Sequence, residues 1–157
     1  ALSEFIEDGS LTEQIKKKKI IFSVSQKIEI LIKVAKTLLK IHEQGIVHRD
    51  IKLDNVMLKY GDPYITDFSS AIVQNSLSFL VEEERVSTPE LQDVLWHKTS
   101  FDQDIYCFGI MIKQLFEGSS DTSIKNEIKK LTRKNPRERE NLKNLIVDLE
   151  SIQEKLV

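Results

Sequence analysis

Three oxygen-bearing side chains stand close together near the middle of the 157-residue chain. Asp50 and Asn55 lie five residues apart in a polar loop, and Asp67 follows twelve residues after Asn55. Carboxylate and carboxamide oxygens suit a Mg²⁺ ion that keeps several waters and is shared with a phosphate-bearing substrate. Lys52 adds a positive charge to the same loop. This pattern favours metal-assisted phosphoryl transfer, with Asn55 and Asp67 as metal ligands and Asp50 free to accept a proton.

Two short apolar runs are needed to bring these side chains together. Residues 56–58 and 64–66 flank a stretch of turn residues, which predicts an antiparallel hairpin. If the first residue of one run faces the last residue of the other, Asn55 lies opposite Asp67 at the open end. The alternative that the spacing leaves open is a solvated acidic loop without a catalytic role.

The residues of this region resemble those of eukaryotic-type protein kinases. Two runs are similar to the catalytic loop and to the metal-binding Asp-Phe-Gly motif of that family: His48-Arg49-Asp50-Ile51-Lys52-Leu53-Asp54-Asn55 and Asp67-Phe68-Ser69. The resemblance implies that Asp50 is the catalytic base and that Asn55 and Asp67 bind Mg²⁺. It also implies that Lys52 lies near the transferred phosphate, and a lysine at this position is more similar to the serine/threonine branch than to the tyrosine branch.

The stretch after these motifs resembles an activation segment over residues 67–90, closed by Thr88-Pro89-Glu90. Ser69 replaces the usual glycine, and losing that residue's backbone freedom typically costs about 1 kcal/mol. Glutamates stand where the family usually has a Gly-Thr pair, so substrate binding by the usual geometry is not expected. One hypothesis is that Glu82–Glu84 pair with Arg49 in place of a phosphate group.

The first residues of the chain resemble the hinge between the two lobes of a kinase, over residues 1–11. Ser3 would be the gatekeeper. The resemblance implies that backbone groups of Glu4 and Ile6 bind the adenine of ATP, and that Met57 forms the floor of the adenine pocket. Because the chain starts in an apolar stretch with no cap or turn, we expect the strands that pair with it to lie upstream.

The resemblance also implies two pairings between distant segments. Arg139, in a Pro-x-x-Arg sequence, would bind Glu90 as a desolvated bidentate pair. Asp104, in a central helix expected over residues 101–117, would accept hydrogen bonds from the backbone of the catalytic loop. A last amphipathic helix is predicted over residues 140–157 and would serve packing.

A long apolar helix is predicted over residues 26–44, because its apolar positions recur at spacings of three and four. Gly45 would end this helix. His42 and His48 are expected to be structural, and the resemblance implies that His48 packs and hydrogen-bonds to the backbone. Cys107, the single cysteine, is expected to be buried rather than reactive.

Composition limits the other classes of protein. The chain is 40% hydrophobic and 31% charged, which indicates one globular domain. A net charge of −2 makes nucleic acid an unexpected partner, and no apolar run is long enough to span a membrane. No membrane partner is therefore expected, and a cytoplasmic location is predicted. The run Lys16–Lys19 is expected to be the solvated end of a helix.

The predicted fold is mainly α with a small β-hairpin, α+β overall, and similar to the C-terminal lobe of a protein kinase over residues 1–157. The N-terminal lobe, with its Gly-rich loop and ATP-binding lysine, is expected to be absent. The predicted function is ATP- and Mg²⁺-dependent transfer of the γ-phosphate to a hydroxyl of a protein substrate, dependent on the missing lobe or on a regulatory segment. Two alternatives remain, a non-catalytic kinase-like binding module and a small-molecule phosphotransferase of the kinase-like superfamily.

Overall fold

The computed structural model describes residues 9–79, 88–91 and 96–156. In this part of the chain four α-helices and six short strands follow one another: α1 (Val24–Glu43), β1 (Ile46–Val47), β2 (Val56–Lys59), β3 (Asp62–Ile65), β4 (Ile72–Val73), β5 (Leu77–Phe79), β6 (Trp96–Lys98), α2 (Phe101–Leu115), α3 (Thr122–Leu131) and α4 (Leu142–Lys155). A π-helix (Glu13–Lys17) precedes α1, and three 3₁₀ turns connect the other elements. The predicted class, mainly α with a small β-hairpin, is confirmed, and the described residues contain two further two-stranded antiparallel sheets that were not predicted.

Helix α1 begins two residues before its predicted start because Ser23 caps it. The Ser23 hydroxyl accepts a hydrogen bond from the Gln26 backbone nitrogen at 3.1 Å, and the Gln26 carboxamide oxygen accepts one from the Ser23 nitrogen at 2.8 Å. This reciprocal arrangement satisfies two donors that would otherwise have no partner at the helix start. At the other end Gly45 adopts φ +76°, the left-handed conformation that ends helices.

The core lies where α1 packs against α4, α2 and the hairpin. Its fully buried members include apolar residues of all three helices: Ile28, Leu31, Leu38, Phe108, Met111, Ile112, Leu145 and Leu149. At the surface the Lys33 ammonium lies 2.6 Å from the Asp62 carboxylate, which joins α1 to the tip of the hairpin. Among the described residues, no helix has both the length and the apolar character that crossing a bilayer would require.

The predicted register of the β2–β3 hairpin was wrong by one residue. Val56 faces Ile65, and the strands extend as far as Lys59 and Asp62. The turn therefore contains only Tyr60 and Gly61, with φ values of +51° and +80°. Positive φ at both central residues is the feature of a type I′ turn, whose backbone twist matches the twist of the two strands. The predicted five-residue turn was too long, because it included residues that pair in the strands.

Two small sheets hold the segments on either side of the site. Strand β1 precedes the polar loop and pairs with β4, so that Ile46 faces Val73 and Val47 faces Ile72. Strand β5 pairs with β6, whose end leads through the buried Thr99 into α2. The Thr99 hydroxyl donates to backbone oxygens of the β4–β5 connection. These contacts fix the chain that enters and leaves the site.

Helix α2, expected over residues 101–117, ends at Leu115, and its start is capped by Ser100. It packs very closely against α3 at Gly109. A Cβ atom at that position would lie 2.6 Å from Thr132 Cγ2 and 2.9 Å from Leu131 Cβ. Only a residue without a side chain permits this approach.

Candidate active site

Asp50 is held by direct contacts within its own loop. The Asn55 amide nitrogen donates to the Asp50 backbone oxygen at 2.8 Å and to the Asp50 carboxylate at 2.9 Å. The Lys52 ammonium lies 3.4 Å from the other carboxylate oxygen of Asp50. An amide on one side and a cation on the other fix the orientation of this carboxylate, which remains partly exposed.

Asn55 ends the 3₁₀ turn directly before β2, where it is buried. Its backbone oxygen accepts a hydrogen bond from the Thr66 nitrogen at 2.8 Å, so Asn55 lies opposite Thr66 rather than opposite Asp67 as predicted. Asp67 is the next residue along. Because both hydrogens of the Asn55 amide go to Asp50, the carboxamide oxygen is the atom of this side chain that is left to bind a cation.

Asp67 is exposed and held by its near neighbour. The backbone nitrogen and the hydroxyl of Ser69 donate to the same Asp67 carboxylate oxygen at 3.2 and 2.5 Å. These hydrogen bonds are the main reason that the pKa of Asp67 is lowered, and the positive charge of Lys52 acts in the same direction. Asp67 directly follows Thr66, whose nitrogen donates to the Asn55 oxygen, so the Asp67 backbone lies beside the loop that carries Asp50.

The expected conformational effect of Ser69 is not observed. The residue with positive φ in this motif is Asp67, at +60°, and Ser69 is not among the described residues in the left-handed region. Aspartate tolerates this conformation better than most residues. The Ser69 hydroxyl donates a hydrogen bond to the Asp67 carboxylate, which a glycine could not do. The sequence did not predict this contact.

His48 connects the loop to the strand that leads to Asp67. Its Nδ1 accepts from the Asp50 backbone nitrogen at 3.1 Å, and its Nε2 lies 2.9 Å from the Thr66 backbone oxygen. These partners assign the proton to Nε2 in a neutral ring. The Phe68 ring packs edge-on against the imidazole with 4.9 Å between ring centres. The side chain is fully buried, in agreement with its expected structural role.

Asp104, on α2, binds the backbone of the polar loop that carries Asp50. Its two carboxylate oxygens accept hydrogen bonds from the backbone nitrogens of His48 and Arg49, each at 2.8 Å. His42 Nε2 is a third partner at 2.8 Å, a contact that the sequence analysis did not predict. Arg49 has φ +71°, so the buried carboxylate stabilises a backbone conformation that side chains disfavour.

Arg49 extends toward the segment after Asp67, where its Nε donates to the Ser70 backbone oxygen at 2.6 Å. Its predicted pairing with Glu82–Glu84 falls outside the described residues. Ser3, Glu4 and Ile6 also lie outside them.

Met57, the predicted floor of an adenine pocket, is partly buried in β2. Its backbone pairs with that of Ser10 in an isolated antiparallel β-bridge, and the neighbouring Leu58 nitrogen donates to the Gly9 oxygen at 2.9 Å. The last residues of the predicted hinge therefore run beside Met57.

The predicted pair between Arg139 and Glu90 is present. The two terminal nitrogens of Arg139 donate to the two carboxylate oxygens of Glu90, each at 2.8 Å. One of them also donates to the Asp102 backbone oxygen, and the guanidinium lies 4.8 Å from the centre of the Tyr106 ring. The Arg139 side chain is completely buried. This pair joins the 3₁₀ turn that contains Glu90 to the start of α2.

The donor set suits a magnesium ion that is shared with phosphate. Within the described residues no three His, Cys, Asp or Glu side chains form a cluster able to hold a metal by themselves. Mg²⁺ commonly takes one or two protein ligands and completes its shell with water and substrate phosphates, and Asn55 and Asp67 fit that requirement. Beside Asp50 a groove of about 290 Å³ opens between the loop and α2, bordered by Tyr106 and Gln114.

Comparison with known proteins agrees with this geometry. The family described as protein kinase domain matches residues 1–155, so the chain belongs to the protein kinase family. The chain is 32% identical over 124 residues to the serine/threonine-protein kinase CLA4 of Candida albicans, an alignment that covers 74% of the chain and 12% of that protein. It is 33% identical over 132 residues to the serine/threonine-protein kinase shk1/pak1 of Schizosaccharomyces pombe, covering 82% of the chain and 20% of that protein.

A third similar protein is the probable serine/threonine-protein kinase gdt2 of Dictyostelium discoideum, 26% identical over 123 residues, with 73% of the chain and 8% of that protein covered. The chain thus spans a fifth or less of the length of these three relatives.

Proposed function

We propose that this chain carries the catalytic loop of a serine/threonine protein kinase, which transfers the γ-phosphate of ATP to a hydroxyl of a protein substrate. The observation that carries the proposal is the contact of Asn55 and Lys52 with Asp50, together with the hydrogen bond from the Thr66 nitrogen to Asn55 that brings the neighbouring Asp67 beside this loop. The names of the relatives support the serine/threonine type.

Each side chain then has a distinct role. Asp50 accepts the proton of the substrate hydroxyl in the groove beside α2, and its orientation by Asn55 is what makes it effective as a base. Lys52 stabilises negative charge on the transferred group. Asn55 and Asp67 hold Mg²⁺, which when bound neutralises charge on the phosphate oxygens.

The nucleotide's base would lie against Met57, with the backbone of Glu4 and Ile6 at its edge. The limits 1–11 for a hinge and 67–90 for an activation segment belong to the same proposal. We further propose that a lobe or regulatory segment outside residues 1–157 completes the phosphate clamp, and that the protein works in the cytoplasm.

The test is phosphate transfer from Mg·ATP to a generic basic protein by the full-length protein. Asp50→Ala removes the base and is expected to lower the rate by about 10²–10⁴-fold. Asp62→Asn is the matched control, since it neutralises an exposed aspartate on the neighbouring hairpin and leaves the loop intact. Equal activity of Asp50→Ala and the wild type would refute the proposal. Mg·ATP binding without any transfer by the wild type would favour the non-catalytic binding module.

A further inference from the structure

A group of exposed cations and apolar side chains extends from the last residues of the π-helix to the first residue of α1. Lys16, Lys17, Lys18 and Lys19 are all exposed. Directly after them Ile21 is 92% exposed, and Ile20 and Val24 are 41% and 40% exposed. We call these seven residues the lysine–isoleucine surface. Almost the whole side chain of Ile21 is exposed to water, next to four lysines. Neither core packing nor phosphate transfer explains this exposure.

The backbone fixes this surface at both ends. Before Ile21, Lys19 adopts φ +52° and the Ile20 nitrogen donates to the Gln14 oxygen at 2.8 Å, which closes the end of the π-helix. After it, Phe22 packs partly buried against the core and Ser23 caps α1. Ile21 therefore points outward from a segment whose neighbours are held in place.

We propose that the lysine–isoleucine surface binds an anionic membrane surface. Lysines near such a surface are attracted to its lipid headgroups, and an apolar side chain among them inserts at the boundary between headgroups and acyl chains. A bilayer accepts both kinds of group from one protruding segment and needs no complementary cavity. The net charge of −2 describes the whole chain and does not describe this local cluster. The proposal goes beyond phosphate transfer and does not depend on it.

Two consequences follow for the strength of binding. Each lysine near an anionic bilayer contributes about fivefold to affinity, so the four together contribute at least about a hundredfold. This part is screened by salt, because the Debye length falls from about 10 Å at 0.1 M to about 3 Å at 1 M. Insertion of Ile21 adds a part that salt does not remove.

The first experiment is sedimentation of the full-length protein with vesicles of phosphatidylcholine containing about 30% phosphatidylserine. Replacing all four residues of Lys16–Lys19 by Gln is expected to lower binding at least about a hundredfold. The matched control replaces four exposed lysines of the α3 and α4 region by Gln, with the same change in net charge: Lys125, Lys129, Lys134 and Lys143. This control is expected to keep most of the binding.

A second experiment follows insertion directly. Ile21→Cys is labelled with an environment-sensitive dye, and Val147→Cys, exposed by 62% on α4, is labelled as the control. Cys107 does not compete for the label, because it is buried and its pKa is raised to about 12. The dye at position 21 is expected to shift to the blue on anionic vesicles, and the dye at position 147 is expected to stay unchanged.

Several results would overturn the proposal. These are equal binding to vesicles of pure phosphatidylcholine, loss of binding in the control as large as in the Lys16–Lys19 variant, and no spectral shift at position 21. Binding to polyglutamate without binding to anionic vesicles would identify an acidic protein as the partner instead.

Discussion

The two sides of the proposed active site are held by different kinds of contact. The loop that carries Asp50 is held by Asp104, a completely buried carboxylate that accepts two backbone hydrogen bonds from the loop and lies beside His42. Asp67, on the other side, is exposed, and its main partner is Ser69, two residues along the chain. One side is fixed by tertiary contacts from α1 and α2, and the other by a local turn.

Because of this difference, substitutions on one side are expected to change the stability of the fold, and substitutions on the other side are expected to change the ionisation of Asp67. A buried charged group must have every partner in place, because an unpaired donor or acceptor inside the protein is costly. An exposed carboxylate can lose a partner to water at little cost in stability. Substitutions at Asp104 and Arg139 are therefore expected to destabilise the fold, whereas substitutions around Asp67 are expected to change its titration.

The largest effect is expected for Asp104→Ala, which leaves the backbone nitrogens of His48 and Arg49 and the His42 ring without an acceptor. Three unsatisfied donors at about 1–3 kcal/mol each lower the free energy of unfolding by about 3–9 kcal/mol. Urea denaturation measures this loss.

Two further variants make this prediction specific. Asp104→Asn keeps one acceptor oxygen and should fall between the wild type and Asp104→Ala. Asp102→Asn, two residues earlier on α2 and only half-buried, should change stability by less than about 1 kcal/mol. If Asp104→Ala were no worse than Asp102→Asn, the buried carboxylate would not support the loop.

Arg139→Met should be the next most damaging change. It leaves the Glu90 carboxylate without its bidentate partner in a partly desolvated site, at a cost of about 3–5 kcal/mol. The double variant with Glu90→Gln removes the stranded charge and should recover part of the loss, since a buried pair often costs less to replace than to break. Thermal or urea unfolding of the three proteins checks the coupling. Additive losses in the double variant would contradict it.

The sequence predicted correctly those contacts whose residues belong to a fixed motif. The pairing of Arg139 with Glu90 and the contact of Asp104 with the loop followed from the family resemblance, because a fixed motif carried each of them. The hairpin register did not follow, since Tyr60 and Gly61 allow a two-residue turn that composition alone does not separate from a longer one.

Tertiary contacts between residues that are far apart in the sequence were also not predicted. His42 lies 62 positions before Asp104, and nothing in a helical repeat shows that its ring faces a carboxylate on another helix. The role of Ser69 was missed because its difference from glycine was judged by backbone freedom alone. Its hydroxyl bonds to Asp67, and short polar residues two positions after an aspartate are the local signal that would have indicated this.

A smaller loss is expected where α2 meets α3 through packing alone. Gly109→Ala would bring a methyl group to 2.6 Å from Thr132 Cγ2 and 2.9 Å from Leu131 Cβ. Overpacking of this kind costs about 1–3 kcal/mol, and the better helix propensity of alanine offsets up to about 1 kcal/mol of it. Adding Thr132→Ser removes the nearer methyl group and should recover part of the stability. An unfolding midpoint of Gly109→Ala equal to that of the wild type would show that the helices separate without cost.

The smallest change concerns the ionisation of Asp67. The Ser69 hydroxyl is the largest cause of its lowered pKa, so Ser69→Ala should raise that pKa toward its usual value while the backbone bond from residue 69 remains.

The sign of the pH dependence follows from that shift. A carboxyl group whose pKa is lower in the folded protein stabilises the fold above its unfolded-state pKa, and this contribution is lost as the pH falls through the folded-state pKa. In Ser69→Ala the folded-state pKa moves toward the unfolded-state pKa, so this contribution to stability and the pH dependence that it causes should both become smaller. A carbon-13 NMR titration of the Asp67 carboxyl measures the shift, and Ser70→Ala, which leaves both Ser69 contacts in place, is the control. If the two variants titrate alike, the carboxylate is set by solvent and nearby charge, and the local turn at Asp67 has no electrostatic role.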